Sequence, residues 1–430
     1  MASLDFIIPK EEVPGVHGVP GVHGVPGVTE LFGGVLKIRD LPKKENPTIC
    51  FACVCKNEEK CIIKALESVY KFISYWVICD TGSTDKTCEV IESFFKEKGI
   101  PGELFHEDWV NFGHNKTILF DRCYKKADYI LHFDADDYFV GDLKFKGEHT
   151  QYHVNVKKNS INYPCLLLFD CNYKWKFCGV AHTTIKCLDC KNVTTGSLVG
   201  EDFYMYSTPD TGARSFDPDK YKKDAEKLRQ QFFDTLIFDP DNLNKRSIFY
   251  TAQSYKDHGD HLEAAKWYNL YLKFKDTWIE EQYISYMHLG SIYKTLKYNQ
   301  TLIEQMYTNA MTLIDDRAEA YLALGTFYNQ TRNFEQSYRI LLAGKDISFN
   351  TASKKYFLFL DDRAYGKYIL DELSVSCYWL NKLDEGKKYL SQIIDDPDFE
   401  RQSVRLNDNM KHFNRTIEDV IKNTNVFSFD

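Results

Sequence analysis

Tyr129-Ile130-Leu131-His132-Phe133-Asp134-Ala135-Asp136-Asp137 is a short apolar, β-prone run that ends in three carboxylates. A run this short, bounded by acids, reads as a buried central strand rather than a helix. In an extended backbone residues two apart point the same way, so Asp134 and Asp136 can converge on one ion. Like charges this close repel, and a hard divalent cation compensates them; Mn²⁺ and Mg²⁺ suit carboxylate and water ligands. A solvated acidic turn is the plain alternative for such a trio taken alone.

Working outward, similar apolar runs occur at Ile49 to Val54, Tyr75 to Cys79, Leu104 to His106 and Cys165 to Phe169, separated by helix-length segments. Glu58 to Phe72 sets Ile62, Ile63, Leu66, Val69 and Tyr70 on one helical face, and Thr84 to Lys98 does so with Val90, Ile91 and Phe94. Strands alternating with helices predict an α/β domain with a parallel, doubly wound sheet. The second run leads into Asp80-Thr81-Gly82-Ser83-Thr84-Asp85, a polar turn in which Ser83 or Thr84 is placed to cap the next helix. Loops at the carboxyl ends of parallel strands are where open α/β sheets bind ligands. Two acidic loops at such ends point to a nucleotide-diphosphate site.

Past Asp219 the strands give way to aromatic-rich helical periodicity. AQSY (Ala252 to Tyr255), LGSIY (Leu289 to Tyr293) and LGTFY (Leu324 to Tyr328) recur, with Tyr255, Tyr293 and Tyr328 standing 38 and then 35 residues apart. The interval resembles that of tetratricopeptide repeats, about 34 residues. A looser fourth copy runs from Leu373 to Ile394. Before the sheet, residues 13–28 repeat VPGVHG, where Pro fixes φ and Gly frees it, so a flexible arm is expected. The expected division is an arm over 1–46, an α/β domain over 47–218 and an all-α repeat domain over 219–430.

The 430 residues carry 54 Lys and Arg against 62 Asp and Glu, a net charge of −8, so no basic field draws the chain to nucleic acid. No stretch approaches the roughly 18 apolar residues of a transmembrane segment, and the first residues lack the pattern of a signal peptide. The 13 cysteines are an odd number in a long chain, which favours free thiols and a cytoplasmic location, the host cytoplasm if the source is viral. The Cys187 and Cys190 pair, with Cys171 and Cys178 seven apart, falls outside the spacing of a zinc knuckle. The sequons, including the one at Asn115, are read as chance.

Several segments in order resemble a family. Cys55-Lys56-Asn57-Glu58-Glu59, the Asp80 to Asp85 turn, Trp109-Val110-Asn111-Phe112-Gly113-His114-Asn115 and the Asp134 to Asp137 turn resemble a family 2 glycosyltransferase of the GT-A (Rossmann-like) fold. Gly179-Val180-Ala181-His182 resembles a Gly-x-x-His-Glu element, and Gly212 to Tyr221 resembles a GARS-x-DP-x-KY signature. Phe249 to Tyr255 and Trp278 to Glu281 resemble the helical-repeat domain appended to one bacterial and viral branch.

The resemblance implies a metal-dependent transfer of a sugar from a nucleotide-sugar donor to an acceptor hydroxyl on a glycan, protein or lipid. By the same resemblance, Asn57, Glu58, Asp80, Ser83, Asp85, Asn115, Asp134 and Arg214 serve the donor, with Asp80 on its nucleoside. Asp134, Asp136 and His182 hold Mn²⁺ or Mg²⁺, and the repeats place an acceptor or a protein partner. The chain departs from the pattern at Thr183, which stands where the family has Glu after His182. His182 and Asp202 are then the catalytic candidates, with Asp170 and Glu201 as further substitutes for the missing base. The competing reading is a repeat-based scaffold whose GT-A-like domain is inactive.

Overall fold

A computed structural model describes residues 45–158, 161–198, 203–208, 212–240, 243–397 and 403–414. The VPGVHG segment, Glu201 and Asp202 lie outside them. The described residues belong to one compact unit.

The sheet grows from β1 (Ile49–Cys55), whose sequence Ile-Cys-Phe-Ala-Cys-Val-Cys is buried along almost its whole length, as a strand covered on both faces must be. Ile49, Phe51, Cys53 and Cys55 point into one apolar layer and Cys50 and Ala52 into the other. α1 (Ile62–Val69) and β2 (Tyr75–Asp80) follow, then α2 (Thr87–Lys98), β3 (Gly102–His106), α3 (Phe112–Cys123) and β4 (Tyr129–His132). α1 and α2 cover the first layer through Leu66, Val69, Ile91 and Phe95, while α3 covers the second through Leu119, Phe120 and Cys123. β2, β1 and β4 pair in parallel, with Cys55 opposite Asp80 and Ala52 opposite His132.

The expectation of a wholly parallel sheet needs correction. β5 (Tyr138–Val140), β6 (Gln151–Lys158) and β7 (Ile161–Asp170) come next, and β7 lies antiparallel to both β4 and β6. The reason is connection length: no crossover helix separates β4, β6 and β7, so the chain folds back on itself. β8 (Trp175–Cys178) and β9 (Thr184–Cys187) form a separate hairpin, while β10 (Thr195–Leu198) and β11 (Tyr204–Tyr206) join β6. The main sheet runs β3-β2-β1-β4-β7-β6-β11-β5.

Among the described residues only helices follow. α4 (Lys220–Phe238) leads into pairs α5 (Lys245–His258) with α6 (His261–Tyr271), α7 (Ile279–Thr295) with α8 (Gln300–Leu313) and α9 (Ala318–Gln330) with α10 (Phe334–Gly344). After the short α11 (Phe349–Ala352) come α12 (Lys367–Trp379), α13 (Leu383–Ser391) and α14 (Ser403–Phe413). AQSY, LGSIY and LGTFY fall on α5, α7 and α9, the first helix of each pair, and the looser copy falls on α12 and α13. The small residues of the repeat have a packing role: a Cβ on Gly290 would lie 2.6 Å from the Tyr307 ring, and one on Gly325 2.3 Å from Leu341. The pairing is tetratricopeptide-like. Among the described residues no helix is long and apolar enough to cross a membrane.

Candidate active site

From β1 the chain moves to β2 and β3 on one side and then crosses to β4 on the other. The strand order therefore reverses between β1 and β4, and the carboxyl ends there are where a doubly wound sheet opens a crevice. A cleft of about 570 Å³ lies at this point. Its walls are Val54 to Glu58 at the carboxyl end of β1, Thr81 after β2, Asp134 to Asp136 after β4, and the segment Gly212 to Ser215 with Asp217. The two acidic loops are not on adjacent strands; β1 runs between them.

Asp134 and Asp136 both line the cleft. Lys116 Nζ donates to Asp134 Oδ1 at 3.2 Å, and its charge holds the Asp134 carboxyl below the usual range. Burial, and then the charge on Asp134, push the Asp136 carboxyl up. Asp137, 8% exposed, is pushed to about 7 by burial and by the same two neighbours, and its Oδ1 accepts from Thr208 N at 3.0 Å. Gly212 is packed so tightly on Asp136 that an added Cβ would sit 2.5 Å from Oδ2.

Glu58 ties the opposite wall together. Its carboxylate accepts from Ala213 N at 3.2 Å and from Cys61 Sγ at 3.0 Å, and burial raises its pKa. Arg214 reaches into the cleft with its guanidinium 5.1 Å from the centre of the Phe112 ring, while one of its terminal nitrogens donates to Asp224. Asn57, with φ 59°, also faces the cleft, and its Oδ1 accepts from Thr84 N at 2.7 Å.

Other expected site residues serve the loops instead. Asp80, 1% exposed, is not in the cleft wall; Oδ2 accepts from Gly82 N and Ser83 N at 3.1 Å and meets His106 Nδ1 at 3.1 Å. Burial alone would raise its pKa, but these hydrogen bonds outweigh it and hold the carboxyl below the usual range. Ser83 Oγ accepts from Asn57 N at 2.9 Å. α2 begins at Thr87, and the side chain at its start is Asp85, not Ser83 or Thr84: Asp85 Oδ1 accepts from Thr87 N at 3.0 Å. Asn115 is fully buried, accepting from Val110 N and donating to Asp108 O, both at 3.0 Å.

His182 stands outside the cleft wall, at φ 47°, with its ring stacked on Tyr250 of α5 at 4.0 Å and 16°. Asp134, Asp136 and His182 are therefore not gathered as one ligand set. Among the described residues the three-residue group spaced for a metal is Asp80, Cys88 and His106, whose donor atoms lie within 4.8 Å of one another. Asp170 is excluded as a base near the turn, because β7 runs antiparallel to β4 and sets it opposite Tyr129, at the far end of the strand. Cys187 and Cys178 pair with opposite ends of the β8–β9 hairpin, and all the cysteines are free. Lys116 and Lys227 were missed by the sequence reading; Lys116 follows Asn115 directly in a segment singled out for other residues.

The donor set fits a hard divalent cation: two carboxylates share one cleft, and the charge of one disfavours ionisation of the other. Asp134 and Asp136 would hold it, leaving its remaining positions to water and ligand oxygens.

Residues 50–145 match the family described as Glycosyl transferase family 2. That segment, from β1 through β5, is a glycosyltransferase family 2 domain. The chain is 31% identical over 104 residues to the SPbeta prophage-derived glycosyltransferase SunS of Bacillus subtilis (strain 168), covering 24% of each. It is 30% identical over 84 residues to the lipopolysaccharide core biosynthesis glycosyltransferase LpsC of Rhizobium meliloti (strain 1021), covering 20% of this chain and 30% of that one. The chain thus spans 24% to 30% of the length of these curated relatives. Among solved structures, S. aureus TarS 1–349 in complex with UDP-GlcNAc aligns at 15% identity over 73% of this chain and 100% of that chain, with a TM-score of 0.31. MamA aligns at 17% identity over 43% of this chain and 88% of that one, with a TM-score of 0.32.

Proposed function

We propose that this protein is a glycosyltransferase that moves a sugar from a nucleotide-sugar donor to an acceptor hydroxyl on a glycan, protein or lipid, using Mn²⁺ or Mg²⁺ held by Asp134 and Asp136. The observation that carries this is the meeting of Asp134, Asp136, Asn57 and Arg214 around one cleft at the switch point of the sheet. A divalent ion held there by Asp134 and Asp136 would supply Lewis-acid stabilisation to the departing diphosphate. The chain's own cations do related work: Lys116 and Arg214 face the same space and oppose the negative charge that develops on the leaving group. Trp109 and Phe112 give the cleft an aromatic wall.

Acceptor activation needs a base. With Thr183 after His182 and Asp170 at the wrong end of its strand, Asp202 is the proposed one, and His182 is proposed to act beside the cleft. The repeats are proposed to place the acceptor or a protein partner.

The test is release of free nucleoside diphosphate from a panel of nucleotide sugars, UDP-GlcNAc first, with Mn²⁺, with Mg²⁺ and with chelator. Cation-dependent release that is lost in Asp136→Asn supports the proposal. The scaffold reading is favoured by one observation, Thr183 in place of a carboxylate. Absence of both release and nucleotide-sugar binding across the panel would establish that reading instead.

A further inference from the structure

We infer that Tyr250, a residue of the helical region, is a positioning residue for the cleft, acting through the loop Gly179 to His182; this rests on the glycosyltransferase reading. The loop bridges two parts of the molecule. On the cleft side, Phe112 N donates to Val180 O at 3.2 Å, and Gly113 is so close to Gly179 that an added Cβ would lie 2.4 Å from its carbonyl oxygen. Phe112 in turn lines the cleft and carries the Arg214 guanidinium on its ring. A shift of the loop is therefore a shift of Phe112 and of the cation it supports.

On the helical side, Val180 N donates to Gln231 Oε1 of α4 at 3.3 Å, and His182 lies face to face with Tyr250. His182 needs such a hold, because its left-handed backbone conformation disfavours a residue with a Cβ. Tyr250 is itself fixed. Arg246 Nη2 donates to its hydroxyl at 2.9 Å, Arg246 Nη1 donates to Glu281 Oε1 at 2.6 Å, and Tyr271 OH donates to Glu281 Oε2 at 2.6 Å. Tyr250 is 7% exposed, Tyr271 1% and Glu281 2%, so the chain of contacts is held inside the helical core. Parallel stacking against an aromatic face has a preferred geometry, which lets a buried ring set the plane of a more exposed one. The segment Phe249 to Tyr255 thus has a task beyond repeat packing: it delivers one ring to the catalytic half.

Two variants separate the stack from the rest. Tyr250→Phe keeps the ring and loses the Arg246 contact; Tyr250→Leu keeps bulk and loses the ring face. Tyr307→Ala, in α8 and packed on Gly290 of α7, serves as a control for plain destabilisation of the helical core. Nucleoside diphosphate release with Mn²⁺ is measured under saturating donor, together with the His182 Hε1 resonance, which an aromatic face shifts upfield. The expected result is turnover reduced about tenfold or more in Tyr250→Leu. Tyr250→Phe should stay within about threefold of the parent, a range too small to indicate a misplaced group. The upfield shift should be lost only in the leucine variant. Equal turnover in Tyr250→Leu and the parent overturns the inference, as does equal loss in Tyr307→Ala at matched folded fraction. If the parent releases nothing, the glycosyltransferase reading fails; the His182 resonance then decides the loop-holding claim, and an unmoved resonance in Tyr250→Leu overturns it.

Discussion

Asp136 and Gly212 touch in the wall of the cleft so closely that no side chain fits between them: a Cβ on Gly212 would stand 2.5 Å from Asp136 Oδ2. The glycine has φ −67°, a conformation open to alanine, so crowding rather than backbone strain would be the cost of a methyl group. Gly212→Ala should therefore push the Asp136 carboxylate aside and weaken Mn²⁺ binding about tenfold, the scale of a disturbed ligand support. Calorimetric titration of Mn²⁺, beside a thermal melt that stays near the parent's, is the check.

Asp136→Asn removes one of two anionic donors and leaves the shape. Nucleotide-sugar turnover should fall roughly a hundredfold or more. Lys116→Ala should act the other way on the metal, because the cation that offsets Asp134 is removed. Mn²⁺ should then bind the variant at least as tightly as the parent while turnover drops. Parallel titrations and rate measurements distinguish the two effects.

Asp137 gives a pH signature. Its pKa is raised to about 7 in the fold by burial first and then by Asp134 and Asp136. A carboxyl raised on folding binds more protons in the native state than in the unfolded one, so stability declines as pH rises through the window from about 4 to about 7. Asp137→Asn should match the parent near pH 4 and melt higher than it above pH 7, with a difference on the order of 4 kcal/mol at most. Denaturant unfolding across that range tests it; parallel curves for the two proteins would exclude the effect.

In the helical region Arg317 is fully buried, with its guanidinium 2.7 Å from Glu319 and 3.5 Å from Glu280. Arg317→Ala should cost roughly 3 to 5 kcal/mol, because it strands two buried carboxylates. Adding Glu280→Gln and Glu319→Gln should recover part of that loss. Chemical denaturation of the single and triple variants measures both.

What was legible in the sequence follows from burial. β1, β2 and β4 are covered on both faces, so they stand out as unbroken apolar runs, and the repeat helices stand out because Gly290 and Gly325 admit a neighbouring helix. Strand direction carries no such mark: Cys165 to Phe169 reads the same whichever way it pairs, and the antiparallel setting of β7 came only with the connections. Asp134 and Asp136 both reach the cleft, but from a turn after β4 that Asp137 N closes by donating to Asp134 O, not from the extended alternation the sequence suggests. Asp80, Ser83, Asp85 and Asn115 were not legible, since composition shows which groups can bind a ligand but not that they turn back to hold Gly82, Asn57, Thr87 and Val110. Lys116 went unnoticed because an isolated lysine on an amphipathic helix normally faces water.

Ala181 from the loop before β9 is buried in the same apolar cluster as Leu228, Ile248 and Tyr268. The first helices after the sheet are therefore not interchangeable with later ones. A chimaera that grafts this sheet onto a foreign solenoid would have to bring α4, α5 and α6 with it, and the natural seam for exchanging recognition surfaces lies beyond them.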